Sequence, residues 1–261
     1  MDQELLDRGG LEVARDGAVL TVTMNRPEVR NAMRPTTWAA MASIGAEVDG
    51  DVRVVVVRGE GEAFCAGLDR RILSGEDIDG EPPITNLFAM PQEEFDQQIA
   101  TYQEGFRWLR DPRFISIAAV QGYAIGGGFQ LALACDLRVA ADDALFCMKE
   151  PALGIIPDVT GTKHLVELVG YSRALEMTAS ARNVSAEEAE RIGLVNRVVP
   201  RDGLEKAVDE MVGLMTMHGH GAVRGTKEVL LGAAERTFDE QRAHERQVQF
   251  RRFQELARGI S

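Results

Sequence analysis

Short apolar runs alternating with helical periodicity fill the first three fifths of the chain. Alternation of apolar and polar residues on either side of Asp16-Gly17 predicts a β-hairpin, and β-branched runs bounded by turn residues predict strands buried on both faces. The predicted strands are Leu11–Arg15, Ala18–Met24, Val52–Val57, Ile115–Val120 and Leu137–Ala140. Helical spacing covers Pro35–Val48, Glu93–Leu109 and Gly127–Cys135. This recurrence of strand and helix predicts an α/β core with parallel strand pairing.

Beyond Gly154 the periodicity is mostly helical. The predicted helices are Thr160–Val169, Ser172–Ser180, Ser185–Ile192, Leu204–His218 and Phe238–Leu256. Ser185 and Glu188 have the spacing of a capping box, which marks the start of the third of these helices. We therefore predict an α/β core over residues 1–200 and a helical region over 201–261, of the kind that commonly serves packing or oligomerisation.

The segment Leu73–Pro91 lacks clear periodicity and is rich in Gly, Pro, Asp and Glu. Such a composition predicts a mobile loop, and a long loop in a compact enzyme is a candidate pocket wall. The aromatic residues expected to close a pocket together with this loop are Phe88, Phe95, Tyr102, Phe106 and Trp108.

The net charge and the cysteine content argue against several classes of protein, including nucleic-acid-binding, disulfide-linked and metal-binding proteins. A formal net charge of -12 over 261 residues argues against nonspecific binding to nucleic acid or an anionic membrane, so a phosphate-bearing ligand must meet local positive charge. Three cysteines without a CxxC pair, and histidines without ligand spacing, predict neither disulfides nor a metal site. With no apolar run long enough for a secretory signal or a membrane span, we expect a cytoplasmic protein.

Two glycine-containing corners each follow a predicted strand. Tyr123–Leu131 contains three consecutive glycines before a helix, and Phe64–Asp69 contains Gly67. Either corner alone is compatible with a tight turn, and neither matches a GxGxxG or P-loop pattern. Together they could direct two backbone N–H groups at one developing negative charge.

Several motifs in order resemble the crotonase (enoyl-CoA hydratase/isomerase) family over roughly residues 10–230. They are Asn25-Arg26-Pro27, Asn31-Ala32, Phe64–Asp69, Gly122–Gly128, Ala134-Cys135-Asp136, Glu150 with Gly154, and Gly193-Leu194-Val195 before Val198-Val199-Pro200. The resemblance implies a crotonase-like spiral of ββα repeats with a helical C-terminal region that assembles homotrimers or homohexamers. It also implies an acyl-CoA thioester substrate from fatty acid metabolism, with coenzyme A as part of the substrate and no separate cofactor.

The same resemblance implies an oxyanion hole and a CoA-binding surface. The backbone N–H groups of Leu68 and Gly127 would polarise the thioester carbonyl and stabilise an enolate. Substrate contacts are implied for Arg26, Val29, Arg30, Ala32, Ala66, Gly67, Asp69, Arg70 and Gly126, with Arg71 also in reach of phosphates. The cluster Arg251-Arg252-Phe253 could replace the basic segment with which family members often hold CoA across a subunit boundary.

The two glutamates of the family's hydratases fall on Gln130 and Glu150. An amide cannot act as a carboxylate base, whereas a carboxylate in an apolar pocket has its pKa raised and can take and return a proton. We therefore expect Glu150 to shuttle a proton in double-bond isomerisation, with Gln130 orienting substrate or water. Alternatives are a hydratase with one carboxylate, a non-catalytic acyl-CoA-binding protein and a structural subunit whose glycines serve packing.

Asp158 lies where most family members have Gly. Dienoyl-CoA isomerases and 4-chlorobenzoyl-CoA dehalogenase have a functional Asp at this position, so the resemblance makes Asp158 a third candidate catalytic residue. The residue could equally cap the helix that follows, because an Asp oxygen accepts hydrogen bonds from free N–H groups at a helix start. A nucleophilic role is a further possibility.

Overall fold

Two β-sheets form the centre of the computed structural model, which describes residues 1–74, 78, 80, 81 and 83–259. The strands are β1 (Leu11–Asp16), β2 (Val19–Met24), β3 (Val54–Gly59), β4 (Ile115–Val120), β5 (Tyr123–Ile125), β6 (Leu137–Ala141), β7 (Leu145–Cys147), β8 (Val184–Ser185) and β9 (Arg197–Val199). The larger sheet has the order β1-β2-β3-β4-β6-β9, and the smaller sheet has the order β5-β7-β8. Only the β1–β2 hairpin breaks the parallel pairing of the larger sheet, as predicted.

Helices cover the sheets and form the C-terminal part of the chain. They are α1 (Gln3–Gly9), α2 (Pro35–Glu47), α3 (Arg70–Leu73), α4 (Gln92–Arg107), α5 (Gly127–Ala134), α6 (Gly161–Val169), α7 (Tyr171–Ser180), α8 (Ala186–Arg191), α9 (Leu204–Thr216), α10 (His220–Leu230) and α11 (Phe238–Ala257). Each helix predicted from periodicity is present, with bounds that differ by a few residues. The short helices α1 and α3, and α10, were not predicted from the sequence.

Strand β3 shows why its apolar run is unbroken. Val55 and Val57 face the main core, whereas Val54 and Val56 face a second cluster with Ala207 and Val208 of α9. All four valines have exposed fractions of 5% or less, because successive side chains of a strand point to opposite faces and both faces are covered. The predicted burial on two faces is confirmed.

Two local predictions need correction. The hydroxyl of Ser185 accepts the Glu188 N–H at 3.2 Å, but the Glu188 carboxylate binds Arg182 instead of completing a capping box. Within Leu73–Pro91, residues 75–77, 79 and 82 lie outside the described residues, and Ile84–Ala89 forms a 3₁₀-helix where only loop was expected. A 3₁₀-helix of this length carries little periodic signal in sequence.

Other expectations concern cysteines, metals and membranes. Cys65, Cys135 and Cys147 are unpaired and buried. Over the described part of the chain no cluster of His, Cys, Asp and Glu has metal-binding geometry, and no helix is long and apolar enough to cross a bilayer. The boundary near residue 200 and the trimeric or hexameric assembly stay predictions.

Candidate active site

The two glycine corners lie against each other. Cys65 and Ala124 form a parallel bridge, with the Ile125 N–H donating to the Cys65 carbonyl at 3.0 Å. A Cβ atom on Gly67 would lie 2.4 Å from the Ile125 carbonyl oxygen, and one on Gly128 would lie 2.2 Å from the Cys65 carbonyl oxygen. Side chains are therefore excluded at both positions, and the two corners are in direct backbone contact.

This contact leaves two N–H groups free beside one cavity. Gly67 accepts the Met33 N–H and Asp69 donates to the Met33 carbonyl, so the intervening Leu68 N–H points to the opposite side. Gly127 is the first residue of α5, where an N–H has no acceptor within the helix. Neither N–H meets an acceptor among the described residues, and both residues line the cavity.

The cavity has a volume of about 390 Å³ and mostly apolar walls. Its apolar lining consists of Trp38, Leu68, Leu87, Phe88, Phe95, Ile99, Tyr102, Ile155, Ile156 and Val159. Phe88, Phe95 and Tyr102 were predicted here. Phe106 and Trp108 were predicted wrongly: Phe106 is fully buried in the core, and Trp108 packs against Phe114.

Glu150 is the most buried carboxylate of this cavity. It begins the 3₁₀-helix Glu150–Leu153 after β7 and is only 7% exposed. Its Oε1 accepts the Gln130 side-chain N–H at 2.7 Å, while Oε2 has no partner in the described structure. Burial raises the pKa of Glu150 above the usual glutamic acid range, because no cation among the described residues compensates the loss of water.

Gln130 connects Glu150 to the backbone that leads into α6. Its Oε1 accepts the backbone N–H groups of Val159 and Gly161, both at 3.1 Å, at the start of α6. Its Nε2 donates to Glu150, and the side chain is almost fully buried. The amide therefore supplies a donor on one side and an acceptor on the other, which a carboxylate could not do. Contact of Gln130 with substrate or water stays a prediction.

Asp158 lines the same cavity but does not cap the helix. Helix α6 has Thr160 as its N-terminal flanking residue, without a side-chain cap, and Gln130 accepts the free N–H groups instead. The Asp158 backbone carbonyl accepts the Gln103 side-chain amide at 2.7 Å. Although the Asp158 residue is exposed overall, partial loss of water in the cavity raises the pKa of its carboxyl, and its charge contributes to the raised pKa of Glu150. The capping prediction is wrong, and a catalytic role stays open.

Arg26 and Asp69 form an ion pair beside the Gly67 corner. Arg26 donates to the Ala32 carbonyl at 2.7 Å and to the Asp69 carboxylate at 3.1 Å, and its side chain is 11% exposed. Asp69 also accepts from Arg71, whose hydrogen bonds lower the Asp69 pKa to about 2. The Arg26 guanidinium is therefore already hydrogen-bonded within the protein, and its contact with a CoA phosphate stays a prediction.

The other predicted CoA contacts surround the Gly67 corner. Arg30 and Arg70 are exposed, and the Arg30 guanidinium lies 5.3 Å from the centre of the Tyr123 ring. The Val29 carbonyl accepts the Ala32 N–H, and the Arg30 carbonyl accepts the Ala66 N–H, which fixes this segment against the corner.

Gly126 lies in the second glycine corner. It has φ +54° and donates its N–H to the Cys147 carbonyl. Contact of these residues with CoA stays a prediction.

Sequence reasoning missed the roles of two residues. Asn31 has φ +57° and donates to the Glu60 and Ala63 carbonyls, which holds the turn between β3 and the Gly67 corner. The signal available in the sequence was the residue type, because Asn adopts a positive φ more readily than most other residues. Trp38 forms part of the cavity wall, and its helical spacing on α2 gave no signal that separated cavity from core.

Comparison with known proteins agrees with this geometry. The sequence profile described as Enoyl-CoA hydratase/isomerase matches residues 14–260. The chain is 33% identical over 238 residues to the Mycobacterium bovis protein named probable enoyl-CoA hydratase echA8, covering 90% of this chain and 86% of the relative.

Solved structures give the same result. A candidate enoyl-CoA hydratase from Thermobifida fusca YX in complex with CoA superposes with a TM-score of 0.92 at 45% identity, covering 98% of this chain and 97% of that one. The T. fusca YX protein in complex with acetoacetyl-CoA gives a TM-score of 0.92 at 46% identity, with coverages of 97% and 98%. The chain therefore has the crotonase fold and belongs to the enoyl-CoA hydratase/isomerase family, as an enzyme of the hydratase/isomerase type.

Proposed function

We propose that this enzyme moves a proton between carbons of an acyl-CoA thioester and favours double-bond isomerisation over addition of water. The observation that carries the proposal is Glu150, whose Oε2 is buried and unpartnered in the wall of an apolar cavity. A carboxylate in that state is a stronger base than one in water, and its protonated form can return the proton. The complexes of the T. fusca relative with CoA and acetoacetyl-CoA support a CoA ester as the occupant.

The reaction follows from the positions of the polar groups. With a 3-enoyl-CoA ester, the Glu150 carboxylate takes a proton from C2, and the electron pair moves onto the thioester oxygen to give a dienolate. The N–H groups of Leu68 and Gly127 stabilise that oxyanion, and such donors each typically contribute about 10²–10³ in rate. Protonated Glu150 then returns the proton to C4, which leaves the double bond between C2 and C3.

Gln130 supports isomerisation because its amide cannot act as the second acid or base that hydration requires. Its amide neither takes nor gives a proton at neutral pH, and both ends of the amide are bound within the protein. Addition of water in this family uses two glutamates, so the cavity lacks one of the expected groups. We propose that Gln130 instead fixes the orientation of the Glu150 carboxylate.

Hydration of 2-enoyl-CoA is the second candidate. The observation that favours it is Asp158, a second carboxylate in the same cavity that could activate a water molecule while Glu150 protonates carbon. The M. bovis and T. fusca relatives are both named as enoyl-CoA hydratases. The two reactions differ in product, so one assay separates them.

The test uses 2-enoyl-, 3-enoyl- and dienoyl-CoA esters in D₂O, with products followed by mass spectrometry. Migration of the double bond with deuterium uptake supports isomerisation, whereas 3-hydroxyacyl-CoA supports hydration. Glu150→Gln should abolish whichever reaction occurs. The matched control is Glu81→Gln, because Glu81 is another buried carboxyl with a raised pKa that does not line the cavity. Binding without product or deuterium uptake by the wild-type protein would contradict both reactions and leave an acyl-CoA-binding protein.

A further inference from the structure

Two arginine side chains bind the C-terminal end of α5. Arg110 donates to the Leu133 carbonyl at 2.9 Å and to the Ala134 carbonyl at 3.0 Å. Arg138 donates to the Cys135 carbonyl, directly after the helix, at 2.8 Å. The last carbonyls of a helix have no donor within the helix, so the two guanidinium groups supply the donors that this end lacks.

The charges of these two arginines are not paired with carboxylates. Arg138 is 1% exposed, and within the described chain its side chain donates only to backbone carbonyls. The neighbouring Asp136 carboxylate instead contacts the Lys227 ammonium group at 2.6 Å. Arg110 is half-buried and also has backbone carbonyls as its partners. Two unpaired positive charges therefore lie at this end of α5, in a chain with a formal net charge of -12.

Both charges act across the protein interior. Loss of water lowers the pKa of Arg138 to about 10, so its guanidinium is still charged at neutral pH. Burial, followed by the charge of Arg110, lowers the pKa of His164 on α6 to about 4. A cation that is kept in the interior without a carboxylate costs free energy, because carbonyl groups replace water only in part. The arrangement is therefore costly as a helix cap alone.

The opposite end of α5 is the candidate oxyanion site. Gly127 begins the helix and lines the cavity. The helix has 8 residues and is therefore about 12 Å long. Over this short distance, the partial negative charge at the C-terminal end of a helix weakens the positive potential at its N-terminal end. Guanidinium groups at the C-terminal end oppose that partial negative charge and leave a more positive potential at the Gly127 N–H.

We propose that Arg110 and Arg138 are positioning residues, which hold α5 at its C-terminal end and strengthen the stabilisation of a thioester oxyanion at the Gly127 N–H. The inference rests on the proposed function in one respect, since it takes a CoA thioester as the ligand. A unit charge about 15 Å from another changes an equilibrium about fivefold at an effective dielectric constant of about 20. We expect this effect for Arg138 and about threefold for Arg110, because water screens a half-buried charge.

The ionisation of bound acetoacetyl-CoA measures this effect without turnover. The ester loses a proton from the carbon between its two carbonyl groups, and its enolate absorbs in the near ultraviolet. A pH titration of the complex therefore gives the pKa of the bound ester. Arg138→Met should raise this pKa by about 0.7 and Arg110→Met by about 0.5, which correspond to the fivefold and threefold effects. Deuterium exchange into a bound acyl-CoA should slow by the same factors, with little change in KM.

Two further variants separate the charge from the hydrogen bonds. Arg110→Lys keeps the charge but loses the paired geometry, so it should be less stable to urea and still give the wild-type pKa of bound acetoacetyl-CoA. The matched control is Arg236→Met, because Arg236 is half-buried and donates to the Val229 and Leu231 carbonyls at the end of α10. This control should leave the pKa of the bound ester unchanged. The Arg110 variants also test the proposal if Arg138→Met does not fold.

An unchanged ionisation of bound acetoacetyl-CoA in Arg110→Met overturns the inference, leaves the arginines as helix caps and does not affect the proposed proton transfer. Equal shifts in Arg110→Met and Arg110→Lys, or a shift in Arg236→Met, also overturn it. A wild-type protein that binds acetoacetyl-CoA but exchanges no deuterium would contradict the proposed function, while the expected shifts in the variants would still support the inference. Failure of the wild type to bind acetoacetyl-CoA contradicts both.

Discussion

The molecule contains two buried carboxylates with different hydrogen-bond partners. Asp69 lies beside the Gly67 corner and is bound by cations, whereas Glu150 lies in the apolar cavity and is bound by a neutral amide. Asp69 accepts hydrogen bonds from two guanidinium groups and has a pKa of about 2. Glu150 accepts one hydrogen bond from a neutral amide and has a raised pKa. Cations compensate the burial of Asp69, which makes it a structural charge, whereas the uncompensated burial of Glu150 leaves a group that can exchange a proton.

Glu150→Gln should give the largest effect on rate. Removing the only group assigned to proton transfer is expected to lower deuterium exchange into a bound acyl-CoA by about 10²–10⁴-fold. Stability should not fall, because the folded state no longer contains a poorly solvated charge. Exchange rates from mass spectrometry and urea unfolding check both statements. A fully active variant would remove Glu150 from the mechanism.

Asp69→Asn should have its main effect on stability. The substitution leaves Arg26 buried beside a neutral amide, and breaking a buried ion pair by removing one partner costs about 3 kcal/mol in free energy of unfolding. Urea unfolding measures the loss. An Asp69→Asn variant that is as stable as the wild type but loses proton transfer would reverse the comparison of the two carboxylates.

Protonation of Asp69 should lower the free energy of unfolding as the pH falls. Its pKa is lower in the folded state than in the unfolded chain, so its stabilisation is present above about pH 4, the unfolded value, and is lost as the pH falls towards about 2. The wild type should therefore lose stability faster than Asp69→Asn over that range. Parallel curves would show that the pairing contributes nothing to pH dependence.

Gln130→Glu should shift the pH dependence of exchange. Two carboxyl groups within hydrogen-bonding distance cannot both ionise easily, so the acidic limb of the rate should move to higher pH. The new carboxylate still accepts the Val159 and Gly161 N–H groups, whereas Gln130→Met loses these bonds and should be less stable. An unchanged pH profile in Gln130→Glu would show that Gln130 does not position Glu150.

Asp158→Asn should produce the smallest shift, in the opposite direction. The Asp158 charge is a minor contribution to the raised pKa of Glu150, so its removal should move the acidic limb of exchange slightly to lower pH. The pH profile of deuterium uptake measures this. A loss of turnover with an unmoved profile would instead indicate direct participation of Asp158 in the chemistry.

Arg26 and Glu150 show which features of the site could be predicted from sequence motifs and which could not. Family resemblance directed attention to both residues. The Gly67 and Gly128 positions were also accessible from sequence, because a residue that permits close backbone contact leaves a local signal. The ion pair between Arg26 and Asp69 could not be predicted from the sequence, because the two residues are separated by 43 positions and meet only in the folded structure.

The sequence by itself determined the main strands of the larger sheet, most of the helices, the parallel core and the glycine corners, because apolar periodicity and backbone freedom are local properties of the chain. Only the tertiary structure decided that Gln130 accepts the N–H groups at the start of α6, that Asp158 does not, and that Trp38 lies in the cavity wall. Hydrogen-bond partners across distant segments depend on which donors and acceptors packing brings within about 3 Å, and periodicity carries no record of that distance.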